Sequence, residues 1–86
     1  MTKEQFNEKT IEERASILCK ALNEGKLLLG ENQKCEKVGD GYHFEDDICE
    51  FDFMDAREFI ESMLGASFTD DCDWNSEAFE KALKEF

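Results

Sequence analysis

Between residues 34 and 54 two turn signals, Gly39-Asp40-Gly41 and Asp46-Asp47, divide three short runs of strand-forming residues. That pattern reads as an antiparallel meander, and it limits everything else the chain can be. "KCEKV" and "YHF" flank the first turn, which fits either a two-residue or a three-residue loop. A reversal around Asp46-Asp47 predicts Phe44 opposite Cys49 and Tyr42 opposite Phe51, four apolar side chains on one sheet face. The same pairing places His43 and Glu45 with Glu50 and Asp52 on the other face, which is polar and mostly acidic.

Helices are the natural cover for the apolar face. Thr2 with Gln5 and Thr10 with Glu13 have capping-box spacing, predicting a short helix near residues 3–8 and a longer one from Ile11. In the longer helix Ile11, Ala15, Leu18, Ala21 and Leu22 share a face. Glu12, Glu13, Arg14, Lys20 and Glu24 mark the wet side, and Gly25 is the expected stop. "KLLLGENQ" reads equally as a strand start or as a hydrophobic corner before a turn. Asp55 with Glu58 opens another helix, whose stripe is Ala56, Phe59, Ile60, Met63 and Leu64 and whose stop is Gly65. Asn75 or Ser76 then caps a last helix with Ala78, Phe79, Ala82, Leu83 and Phe86 inward. The expected fold is a small α+β domain spanning 1–86: an N-terminal helix, a three-stranded antiparallel meander, and two C-terminal helices packed on one sheet face.

Eighty-six residues bury only ~60 to 65% of the surface the unfolded chain exposes, so the core must be economical. Eight phenylalanines and 41% apolar residues still favour a folded domain over a disordered chain. "MTKEQFNEKT" carries no signal-peptide pattern, and no apolar run is long enough to span a bilayer, so the expected location is cytoplasmic. Cys19, Cys35, Cys49 and Cys72 form no C-x-x-C pair and read as reduced thiols, a disulfide being the alternative for a secreted chain.

The net charge of −12 is unevenly placed. Residues 1–39 hold seven acids and seven bases, whereas residues 40–86 hold fifteen acids against Arg57, Lys81 and Lys84 alone. Carboxylates on alternate strand residues lie ~7 Å apart, within the ~8 Å Debye length, and repel by about 0.5 kcal/mol per pair. Solubility needs a net charge of only ~2 to 8 with both signs mixed, so a one-sided surplus points to a charge field with a purpose.

Chemistry-bearing patterns are sparse. Asp71-x-Asp73-x-Asn75 matches the first ligands of a calcium loop, but Ser76 and Ala82 stand where that loop wants Gly and a bidentate Glu. Zinc would require Cys35, His43, Cys49 and Cys72 to converge. With one histidine, no nucleophile beside a recognisable base and no glycine-rich phosphate cradle, the expectation is a non-enzyme without cofactor or metal. Direct nucleic-acid binding by the acidic half is electrostatically wrong, because phosphate affinity comes from Lys and Arg.

The reverse arrangement fits better. In its size, its charge split and the stretches "HFEDDICEFD" and "FTDDCDWNSE", the chain resembles the phage-encoded DNA-mimic inhibitors, the anti-CRISPR and anti-restriction proteins. That resemblance implies an acidic inhibitor, in the host cytoplasm, of a basic nucleic-acid-binding protein such as a nuclease or CRISPR effector. Glu45, Asp46, Asp47, Glu50, Asp52, Asp70, Asp71 and Asp73 would pair with its Arg and Lys where phosphate normally lies. Trp74 is either an apolar anchor in that contact or a core residue. The rival class is a partner-binding module without mimicry, such as an immunity protein or antitoxin.

Overall fold

The computed structural model describes residues 1–64 and 77–86. Helices α1 (Lys3–Asn7) and α2 (Ile11–Asn23) precede strands β1 (Lys34–Val38), β2 (Gly41–Glu45) and β3 (Glu50–Met54), and α3 (Ala56–Leu64) and α4 (Glu77–Leu83) follow. The strands form one antiparallel sheet in the order β1-β2-β3, with the helices on one side of it. The α+β architecture is the expected one, and both the short helix near residues 3–8 and the longer one from Ile11 form ahead of the sheet.

Local chemistry explains the helix limits. Both predicted N-terminal capping boxes form: Thr2 and Thr10 accept from the backbone N–H of Gln5 and Glu13, whose side chains return the bond. At the end of α2, Gly25 takes a φ of +74° while Gly25 and Lys26 donate to the carbonyls of Leu22 and Ala21. This pair of bonds satisfies two carbonyls that the helix leaves open, and the left-handed residue between them favours glycine. Asp55 Oδ1 accepts from Glu58 N–H at 2.8 Å and starts α3 as expected.

The core is one cluster. Ala15, Leu18, Ala21 and Leu22 of α2 meet Cys35, Tyr42 and Phe44 of the sheet, and Phe59, Ile60 and Met63 of α3 close it. Tyr42 stacks on Phe59 with ring centroids 4.7 Å apart and planes within 7°. Phe79 of α4 meets Phe6 of α1 edge-on at 5.2 Å.

Arg14 corrects the expected wet side of α2, since it is only 5% exposed. Its guanidinium reaches back over the Phe6 ring and donates to the carbonyls of Lys9, at 3.0 Å, and Asn7. Those carbonyls lie where α1 ends and need donors, so the charge is buried together with its hydrogen bonds.

"KLLLGENQ" becomes a corner, with Leu27 buried and Leu28 exposed. Gln33 holds the corner by accepting from Leu29 and Gly30 N–H and donating to the carbonyls of Leu22 and Leu27. At Gly30 an added Cβ would stand 2.8 Å from Asp46 Cγ, so this loop sits directly against the β2–β3 turn.

Candidate functional site

The outer sheet face follows from two registers. Between β1 and β2, Lys34 pairs with Glu45, Glu36 with His43 and Val38 with Gly41, around a two-residue Gly39-Asp40 loop. Gly39 has a φ of +63°, the value the first central residue of a type II′ hairpin needs. Because Cys35, Tyr42 and Phe44 point into the core, Lys34, Glu36, Val38, His43 and Glu45 point away from it.

The β2–β3 register departs from expectation. Phe44 pairs with Phe51 rather than Cys49, Glu45 pairs with Glu50, and Tyr42 pairs with Met54 across an irregularity. The turn therefore takes four residues, 46–49, and Cys49 is exposed rather than part of the core. Asp46 sets that length, because its Oδ1 accepts from the N–H groups of both Ile48 and Cys49 at 2.8 Å. Farther along, three residue steps on β3 match two on β2, which is a β-bulge. Strict alternation would turn Phe53 inward and Met54 outward. The bulge, with Phe53 at a φ of +58°, buries Met54 and leaves Phe53 68% exposed.

Three cross-strand rows result. Lys34, Glu45 and Glu50 form the first, and Glu36, His43 and Asp52 the second, with His43 Nδ1 3.3 Å from Asp52 Oδ1 and Nε2 3.8 Å from Glu45 Oε1. The third row is apolar. Phe53 lies across Gly41, where an added Cβ would stand 3.3 Å from the ring, and Val38 flanks it, 46% exposed. Four carboxylates against one lysine surround the imidazole, within roughly a Debye length of one another, so they act as one field.

Glu45, Glu50 and Asp52 thus come together as the sequence implied, and Glu36, Val38 and Phe53 join them. Glu36 was legible in principle, since a two-residue first turn sets it opposite His43. Phe53 was not, because no periodicity rule places a bulge. Asp46 and Asp47 sit beside the face but are engaged: Asp47 accepts from Asn32 Nδ2 at 2.9 Å, and its N–H donates to Glu31. Asp70, Asp71, Asp73 and Trp74 lie outside the described residues, as do the calcium-like spacing, Cys72, the Gly65 stop and the Asn75 or Ser76 cap.

As for metals, Cys35 points into the core while His43 points outward, so the zinc set does not converge. His43, Glu45 and Glu50 offer ligand atoms within 4.8 Å of one another, the one such cluster among the described residues. Exposed acidic groups gather this closely without an ion as well, so the cluster by itself does not make a metal centre.

Asp46 gives a pH prediction. The two backbone N–H donors hold its carboxyl below the ordinary value of 3.8. A depressed folded-state pKa adds stability that is complete above the unfolded value and fades as pH falls through the folded one. The stability advantage of the parent over Asp46→Asn is therefore expected to shrink as pH falls below about 5, read from urea midpoints of both proteins.

The chain matches no family model, no curated protein and no solved structure.

Proposed function

We propose that the protein binds and inhibits a basic nucleic-acid-binding protein of the nuclease or CRISPR-effector kind, its outer sheet face standing in for DNA phosphates. The supporting observation is that face itself: a sheet surface that, among the described residues, no helix covers and that bears Glu36, Glu45, Glu50 and Asp52 against Lys34. Such a field speeds and steers association with Arg- and Lys-lined grooves. The apolar row of Phe53 and Val38 beside it supplies the dewetted contact that slows dissociation.

Competition tests the proposal. With purified CRISPR effector complexes and restriction nucleases, labelled duplex DNA and this protein are expected to displace each other from the bound target. A stable ternary complex of target, duplex and protein would overturn mimicry.

The rival reading has an observation of its own. Ile48, 92% exposed at the tip of the β2–β3 turn, and Leu28, 72% exposed on the adjoining corner, give the end of the sheet opposite Phe53 exposed apolar groups of its own. An antitoxin-like module that grips a basic partner through that edge would leave the partner's nucleic-acid site open. Loss of binding on Ile48→Ser, with the carboxylates intact and DNA still bound, would favour it.

A further inference from the structure

Cys19 on α2 and Cys35 on β1 bring their sulfurs to 3.0 Å across the helix–sheet interface, and both are free thiols. A disulfide requires ~2.05 Å, so about 1 Å of approach separates the pair from a bond. Cys35 is 2% exposed. Cys19 is half-buried and borders an open cleft of about 320 Å³ that Ser16, Lys20, Lys37 and the Glu36 carboxylate also line.

The two sulfurs are not equivalent. The Cys35 thiol donates to Cys19 sulfur, a bond that draws the Cys19 pKa down and pushes that of Cys35 up. Cys49 differs, since desolvation and the Asp46 carboxylate push its thiol up. Cys19 therefore carries the larger thiolate share, the bond from Cys35 outweighing its partial burial and the Glu36 carboxylate, at the mouth of a cleft lined by two lysines and that carboxylate.

We propose that Cys19 and Cys35 form a thiol–disulfide exchange site, oxidised by low-molecular-weight disulfides that enter this cleft, and that the resulting bond pins β1 to α2. In the first step Cys19 thiolate attacks one sulfur of the small disulfide. A Cys19–sulfur bond forms, the small disulfide's S–S bond breaks, and one small thiolate leaves. Cys35 then releases its proton to solvent and attacks Cys19 sulfur, expelling the second small thiolate. Two protein thiols have lost two electrons and two protons, and one small disulfide has become two small thiols. With two lysines against one carboxylate the cleft is net positive, which suits a disulfide that carries carboxylates, such as glutathione disulfide.

The product closes a loop over residues 20–34, which contains the Gln33 corner, and it stabilises chiefly by restricting the unfolded chain. The exchange step does not need the partner proposed for the outer face, although Glu36 borders both, so either proposal can fail alone.

The test uses a Cys49→Ser/Cys72→Ser chain equilibrated with glutathione disulfide. The expected product has lost two hydrogens in intact mass, retains no glutathione and resists alkylation. It is also expected to melt on the order of 10 °C above its reduced form and to return to two alkylatable thiols under dithiothreitol. Glutathione left on Cys19, two thiols still open to alkylation, an oxidised form that melts no higher, or a bond that dithiothreitol cannot reduce would each overturn the proposal. Should the double variant fold poorly, peptide mapping of the unsubstituted chain decides the same question through a Cys19–Cys35 crosslink.

Discussion

Phe59→Ala is expected to remove ~3 to 5 kcal/mol of stability and leave the protein close to its folding threshold. Phe59 is fully buried, lies flat against Tyr42 and joins α3 to the middle strand. Truncation loses the transfer energy of the ring and leaves a cavity that the stacked Tyr42 cannot fill without leaving its own position. A domain of this length has little core in reserve, so the loss should appear as a large drop in urea midpoint with the slope unchanged. Tyr42→Phe is the informative control. The Tyr42 hydroxyl is buried with no hydrogen-bond partner among the described residues, so its removal should be neutral to slightly stabilising, within about 1 kcal/mol. A Phe59→Ala cost below about 1 kcal/mol would mean that α3 does not rest on the sheet in solution.

The second large effect is on binding. Glu45→Gln/Glu50→Gln/Asp52→Asn is expected to weaken association with the basic target by roughly 100-fold at physiological salt, mostly through a slower on-rate. Stability should move the opposite way. Glu45 and Glu50 sit directly opposite each other, and Asp52 lies in the neighbouring row, so neutralisation relieves repulsion of about 0.5 kcal/mol per pair. Reduced binding with an unchanged or raised melting temperature separates a functional field from a structural one. Glu4→Gln/Glu12→Gln/Glu58→Gln, which removes the same charge from exposed helix positions, is expected to lose far less affinity. Equal losses from the two triples would mean that net charge alone guides association, and the outer face would have no special place in it.

Much of the fold was legible because its signals are local. Capping boxes at Thr2 and Thr10, the carboxylate of Asp55 and the glycine after α2 act within a few residues, and each does in the structure what its spacing implies. Arg14 was misread for the opposite reason. Its burial depends on where α1 ends, and helical periodicity around α2 contains nothing about that. The corner after α2 stayed ambiguous because one side chain, Gln33, decides it by bonding groups up to 11 residues away.

The sequence by itself determined the α+β order, the single apolar sheet face and the company of Glu45, Glu50 and Asp52, because strand alternation assigns faces whatever the partner strand. Tertiary structure alone decided the four-residue turn, the bulge at Phe53 and the meeting of Cys19 with Cys35. A hydrogen-bonded turn and a bulge each change register by whole residues, and a single step moves a side chain from core to solvent. That step makes Met54 core and Phe53 surface, and so it sets an aromatic ring rather than a thioether at the apolar edge of the acidic face.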